Sequence, residues 1–324
     1  MHKQIATLFE TQFEKDVYKG LTEYPKHLSS KYFYDAKGDK LFQDIMHMPE
    51  YYLTDCEFEI LDEYKQEITD LFTMGSPKFN LIELGAGDGK KTKILLKHLL
   101  EQQIDFTYQP IDISQNVLDE LEASLQEELP DATVKTQQGT YFETLERINT
   151  KNGTKKIILF LGSNIGNLQH HQAIEFLKSV QELMQEEDLF FVGFDQKKDP
   201  KTILDAYNDQ SGITEAFNKN VLTRINKEMT ADFDLGEFLH WEVYDPETGT
   251  AKSYLVSKKE QSVYIENLRL KVDFKAWETI HTEISQKYDD RTVQWLAQKS
   301  GLNIENIFTD EKGYYKNYVF RKRS

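Results

Sequence analysis

Cysteine is almost absent: Cys56 is the only one in 324 residues. A lone cysteine excludes an internal disulfide framework and suits a reducing cytoplasm, and Cys56 itself reads as a small buried residue rather than a nucleophile. No run of 18 or more apolar residues occurs, so no membrane span is expected. The stretch MHKQIATLFETQFEKD also lacks the apolar segment of a signal peptide. Positive charge is in short supply, with 39 Lys and Arg against 55 Asp and Glu and a net charge of −16. Such a surface repels phosphate, which argues against nucleic acid or an anionic membrane as partner; Arg321-Lys322-Arg323 is too short to reverse this. The motifs H-x-x-x-H, C-x-x-C and G-x-S-x-G are missing, so no metal site or nucleophile of those types is expected. His170-His171, at a helix start, are expected to face different ways into solvent. Internal repeats and low-complexity runs are missing too.

What remains is a folded chain of one large or two ordinary domains, with 39% hydrophobic and 12% aromatic residues. Its organising stretch is NLIELGAGDGKKT, Asn80 to Thr92. An apolar run ending at Glu83-Leu84 meets Gly85, Gly87 and Gly89, and Ile94, Leu95, Leu96, Leu99 and Leu100 then recur at helical spacing. Strand, glycine turn and helix build a nucleotide-type pocket. The turn reads G-x-G-x-G, with Lys90 at the position of the third glycine of a dinucleotide fingerprint. The next strand, FTYQPIDI, carries Asp112, 27 residues after Gly85, where an acid can take both hydroxyls of a ribose. A ribose-binding acid without the pyrophosphate glycine suggests adenosine lacking a diphosphate, and so S-adenosylmethionine. A plain tight turn is the other reading of the glycines.

Along the chain, residues 1–60 are rich in aromatics, including Tyr32, Phe33, Tyr34, Phe42, Tyr51 and Tyr52, which read as core or lid packing or as the lining of a pocket. From 79 to 195 strands are expected at 79–84, 106–113, 132–138, 156–162 and 189–195, with helices at 90–102, 115–128 and 170–185. That is a parallel βαβ series. The fourth strand ends in GSNIGN, whose amides can orient a polar substrate or simply form a turn. After 195 the alternation stops: helix is expected over 201–229 and strands at 239–246, 251–257 and 262–272. In ETIHTEISQKY, Glu283 and Ser285 share a face if the segment is extended, and either read a donor-bearing ring or form a solvated polar face. A helix at 290–300 and two strand pieces, the last antiparallel, close the chain.

KYFYDAKGDKLFQDI, PEYY, LIELGAGDGKKT, PIDIS, FLGSNIGNL, AYNDQSGITEAFN and TEIS together resemble the histidine-specific N-α-methyltransferases of ergothioneine biosynthesis over most of the chain. The resemblance implies an α/β fold: a Rossmann-like class I methyltransferase sheet (61–196 plus 287–324) binding S-adenosyl-L-methionine, and a second α+β domain (1–60 plus 197–286) binding L-histidine or a related amino acid. It implies cofactor contacts for Gly85, Lys91 and Asp112, to which the turn and strand ends add Glu83, Gly87, Thr140 and Tyr141. Tyr34 falls near the reacting centre. Tyr51, Asn167 and Tyr207 fall on positions that hold the α-amino and carboxylate groups, with Asn167 and Tyr34 as catalytic candidates. Glu283 and Ser285 fall on the ring-reading pair. Two positions depart from the pattern. Gly139-Thr140-Tyr141-Phe142 stands where the family has Gly-Asp-aromatic, and Lys252-Ser253 where it has a Glu-Met-type pair.

The expected activity is methylation of histidine's α-amino group, stepwise to the trimethyl betaine, by a monomeric cytoplasmic enzyme. Three competing expectations are another amino acid or amine as acceptor, a nicotinamide oxidoreductase (disfavoured by Lys90), and a degenerate binding protein.

Overall fold

The computed structural model describes residues 9–149 and 154–323. The chain divides into two compact units, Met1–Tyr52 with Lys198–Ser285 and Leu53–Lys197 with Gln286–Ser324. Its strands in chain order are β1 (Lys26–His27), β2 (Lys78–Leu84), β3 (Asp105–Asp112), β4 (Gln137–Gln138), β5 (Lys155–Phe160), β6 (Leu189–Asp195), β7 (Phe238–Asp245), β8 (Thr250–Ser257), β9 (Gln261–Ile265), β10 (Leu270–Phe274), β11 (Thr279–Gln286), β12 (Leu302–Thr309) and β13 (Tyr315–Lys322).

The larger unit is a seven-stranded sheet in the order β12-β13-β6-β5-β2-β3-β4. β2 pairs in parallel with both β3 and β5, and β5 with β6, whereas β13 runs antiparallel to β6 and β12. Every residue of β5 and β6 is buried, as strands covered on both faces require, so they read as continuous apolar runs rather than alternating ones. Ile82, Leu84, Ile158, Phe160, Phe176, Val192, Phe194 and Tyr318 share one core. Because β3 and β4 lie on one side of β2 and β5 and β6 on the other, the strand order reverses at the carboxyl end of β2. Open α/β sheets form their ligand crevice at that place, and here it carries the glycine turn.

The other unit holds a four-stranded sheet, β1-β11-β8-β7, and the β9–β10 hairpin. The helix Ile213–Met229 buries Phe217, Val221 and Ile225 against Phe33, Phe238, Leu255 and Ile280. β8 alternates buried and half-buried residues without interruption, the signature of a sheet with one covered face.

Several elements differ from expectation. Residues 53–60 belong to the sheet unit, because the helix Tyr52–Glu63 buries Ile60 and Leu61 and the carboxylate of Glu57, whose partners all lie there. The first eight residues of the expected 1–60 segment lie outside the described residues. The expected strand 132–138 shrinks to β4 and a single bridge between Tyr108 and Val134. A helix at Tyr141–Asn149 follows it, unforeseen because it is only nine residues long. The helix expected over 201–229 is two, Pro200–Tyr207 and Ile213–Met229. Gly212 at φ 76° stands between them, and Asp209 accepts the amides of Ile213 and Thr214 at 3.0 and 2.8 Å. The strand expected at 262–272 turns back on itself at 266–269, where Arg269 has φ 47°, to make the β9–β10 hairpin. Asp35 caps the helix Ala36–Met46 by accepting from Gly38 N. His170 is half-buried, its ring against Tyr288 and Trp295, and burial holds its pKa below the ordinary value; only His171 is exposed.

Candidate active site

The turn after β2 is left-handed at each glycine, Gly85 at φ 74°, Gly87 at 54° and Gly89 at 64°. At Gly85 a side chain is excluded twice over, by conformation and because a Cβ would sit 2.7 Å from the Tyr141 hydroxyl. At Gly87 a Cβ would meet nothing within 4 Å, so that stretch of backbone faces open space. The turn is pinned to the neighbouring strand by Gly85 N donating to Ile111 O at 2.9 Å.

Glu83, expected among the cofactor contacts, is buried, and both its oxygens are spent on the protein. Thr92 donates to one at 2.6 Å and the Tyr108 hydroxyl to the other. Burial pushes this carboxyl up to about 7. Its geometry ties β2, β3 and the helix Lys90–Glu101 together across the turn. Asp112 closes β3; its Oδ1 accepts from Ser114 N at 3.0 Å, which fixes the side chain. Tyr141 packs edge-on to Phe160, and burial together with the charge of Asp112 pushes its phenol up to about 12. It is a hydrogen-bond donor at every physiological pH. The Thr140 hydroxyl is turned to Glu143 at 2.6 Å rather than held ready for a base, because it begins the helix Tyr141–Asn149.

Lys91 is held by a residue that sequence reading overlooked. Glu57, 0% exposed, accepts from Lys91 Nζ at 2.7 Å, Gly162 N at 2.7 Å and Asn317 Nδ2 at 2.9 Å. A buried polar group needs such partners, because an unmatched one costs free energy. No local motif surrounds Glu57; its only sequence signal is an acid in the apolar face of a helix. The turn after β5 is also left-handed, with Gly162 at φ 73° and Ser163 at 56°, and Ser163 Oγ accepts from Asp195 N at 3.0 Å. A non-glycine residue held there marks stored strain of the kind found beside ligands. Asn164 Nδ2 would lie 3.8 Å from a Cβ on Gly85 and 3.6 Å from one on Gly162, and Lys91 Nζ also 3.6 Å from the latter. The glycines of both turns thus face one small space bordered by Lys91, Asn164 and Tyr141. Asn167 is exposed at the end of the second turn.

The remaining candidates fall in the other unit. Tyr207 shares an apolar cluster with Tyr51, Tyr52, Tyr244 and Ala251, and its hydroxyl lies 2.7 Å from Ser285 Oγ. β11 is extended, but its burial alternation breaks after Thr282. Consecutive residues Thr282 and Glu283 both lie beside Ser253: Thr282 Oγ1, which donates to Asn218 Oδ1 at 2.8 Å, is 3.1 Å from the Ser253 carbonyl, and Ser253 Oγ is 3.4 Å from Glu283 Oε2. Tyr34 packs edge-on against Phe42 and Phe217. The structure therefore brings Tyr207 and Ser285 together directly, gathers Tyr51 beside them, and puts Asn167 in the sheet unit.

A family model for S-adenosylmethionine-dependent, histidine-specific methyltransferases matches residues 13–322. The chain belongs to that family. Among its relatives, the histidine N-alpha-methyltransferase of Mycolicibacterium smegmatis is 35% identical over 299 residues, 92% of this chain and 91% of the relative. That of Mycobacterium tuberculosis is 34% identical over the same shares. The solved mitomycin 7-O-methyltransferase MmcR, 13% identical with a TM-score of 0.49 over 96% of this chain and 69% of its own, is too distant to carry an argument.

Open space at Gly87, the Asp112 carboxylate at the end of β3, and Lys91, paired with Glu57, stand around the two glycine turns. The methyltransferase has no helix among the described residues long and apolar enough to cross a membrane.

Proposed function

We propose that this chain transfers a methyl group from S-adenosylmethionine to the α-amino nitrogen of L-histidine, stepwise to the trimethylated betaine, acting as a cytoplasmic monomer. The observation that carries the reading is 35% identity, over 92% of the chain, to an enzyme named for that reaction. The unit Leu53–Lys197 with Gln286–Ser324 is read as the donor-binding domain and the other as the acceptor-binding domain. Gly85, Gly87, Lys91, Asp112 and Tyr141 hold the donor, with Thr140 at its edge through its backbone. Glu83 acts behind them as a positioning residue.

When bound, S-adenosylmethionine supplies an electrophilic methyl group on a sulfonium. The protein's task is to present a neutral amine in line with it. Tyr51, Asn167 and Tyr207 fix the acceptor's amino and carboxylate ends, and Tyr34 stands near the reacting nitrogen. The amine first gives its proton to solvent. Its lone pair then forms the C–N bond as the C–S bond breaks onto sulfur. Glu283 accepts a ring N–H and Ser285, itself fixed by Tyr207, meets the other side of the ring. A charge-assisted bond of this type is worth roughly 1.5–3 kcal/mol, about one to two decades of preference over an apolar ring.

Incubation with S-adenosylmethionine and each proteinogenic amino acid, followed by mass spectrometry, tests the proposal. Histidine is expected to gain one, two and three methyls. Gain on another amino acid with none on histidine would reassign the acceptor while keeping the chemistry.

A further inference from the structure

Phe217, Asn220 and Arg224 recur at spacings of three and four on the helix Ile213–Met229, so their side chains leave along one face. All three meet the segment that carries Tyr34. Phe217 packs edge-on against the rings of Phe33 and Tyr34. Asn220 Nδ2 donates to Phe33 O at 2.9 Å. Arg224 Nη1 lies 3.0 Å from Tyr32 O and 3.2 Å from Tyr34 O, with a hydrogen for each. Three successive carbonyls are thus held by two side chains of one helix. They lie where the 3₁₀ turn Ser30–Tyr32 gives way to the helix Ala36–Met46.

The hold is buried and oriented. Asn220 is 0% exposed, and its amide also donates to Asp35 Oδ1 at 2.8 Å. Burial works against the Asp35 carboxylate, but the Gly38 amide, Asn220 and the charge of Arg224 keep its pKa below the ordinary value. The backbone there has no slack: a Cβ on Gly38 would lie 1.8 Å from Phe33 O. Arg224 is itself fixed on two sides, by the Phe13 ring under its guanidinium and by Glu228, 2.8 Å from its Nε. A planar fork can meet two carbonyls and that carboxylate at once, which a single ammonium cannot. The backbone leading to Tyr34 therefore has one course, and Phe42 and Phe217 confine the ring edge-on.

We propose that Asn220 and Arg224 are positioning residues for methyl transfer, setting the place of the Tyr34 hydroxyl by holding the carbonyls of Tyr32, Phe33 and Tyr34. The inference rests on the reading of Tyr34 as standing near the reacting nitrogen. An in-line displacement loses rate steeply when a group that aligns it is misplaced by about 1 Å. The N–H groups of Arg224 are turned to this segment and to Glu228, so its loss acts on turnover rather than on ligand contacts.

The test is a double-mutant cycle on L-histidine methylation by the full chain, pairing Arg224→Met with Tyr34→Phe. Arg224→Met keeps the apolar stem and removes the guanidinium. It is expected to lower kcat about tenfold or more, with KM for histidine and for S-adenosylmethionine changed less than about twofold. Arg224→Lys is expected to recover part of that loss. In the Tyr34→Phe background, where no hydroxyl is left to place, Arg224→Met is expected to cost less than about twofold. Asn220→Ala, which leaves the Phe33 carbonyl without that donor, is expected to repeat the pattern. The same fractional loss with and without the Tyr34 hydroxyl, or an unchanged kcat in a folded Arg224→Met, overturns the inference. If that variant does not fold, Arg224→Lys carries the same cycle with a smaller loss. Tyr34→Phe with wild-type kcat would instead overturn the reading of Tyr34, and no methylation of histidine the functional reading; the inference falls with either.

Discussion

Glu83 is a buried acid whose two oxygens are both taken up within the protein, by Thr92 and Tyr108. Its carboxyl, raised to about 7 by burial, holds a proton more tightly in the folded protein than in the unfolded chain. That contribution to stability is fully present below about pH 4.5 and is lost as pH climbs toward 7, by at most about 1.4 kcal/mol per pH unit. Urea unfolding of wild type and Glu83→Gln should therefore diverge across this window, the wild type losing more stability toward neutral pH. Equal slopes would remove Glu83 as the titrating group. Glu57 is a second buried acid, held by three donors. Glu57→Gln should loosen Lys91 and weaken S-adenosylhomocysteine by about tenfold or more, read by calorimetry, while histidine affinity changes little. Glu283→Ala should do the reverse, costing histidine one to two decades and the donor little; equal losses on both ligands would sink the assigned role.

At the scale of elements, the parallel core was legible because β5 and β6 are buried on both faces and so read as unbroken apolar runs, while Gly85 and Asp112 mark two strand ends by residue type alone. What stayed hidden was short or turned on single side chains. The helix Tyr141–Asn149 is short, and its start is disguised by a hydroxyl that Glu143 claims. The break between Tyr207 and Ile213 is made by one side chain, Asp209, which accepts two helix-start amides and the Ser211 hydroxyl. Burial works against it, but these hydrogen bonds hold Asp209 down to about 2. The stability it lends is present above about pH 4 and lost as pH falls toward 2. Asp209→Ala should cost about 1 kcal/mol in urea unfolding at neutral pH, and the difference from wild type should vanish in that acid window. Glu57 was illegible for a related reason: it is one acid among 55 Asp and Glu, and only burial and partners separate it from the rest.

For the whole molecule, a net charge of −16 sets a background of self-repulsion that salt screens. Raising sodium chloride from about 20 to about 200 mM should raise the melting temperature, and a fall would mean that specific ion pairs outweigh the net charge. The partners of Glu57 carry a different consequence. Lys91, Gly162 and Asn317 come from three distant stretches of chain, and Asn317 belongs to β13. A polypeptide emerging from the ribosome has made the glycine turn long before it makes β13. The carboxylate that steadies Lys91 gains its last donor only when that strand is in place, so a nascent chain should not retain the methyl donor until β13 has emerged.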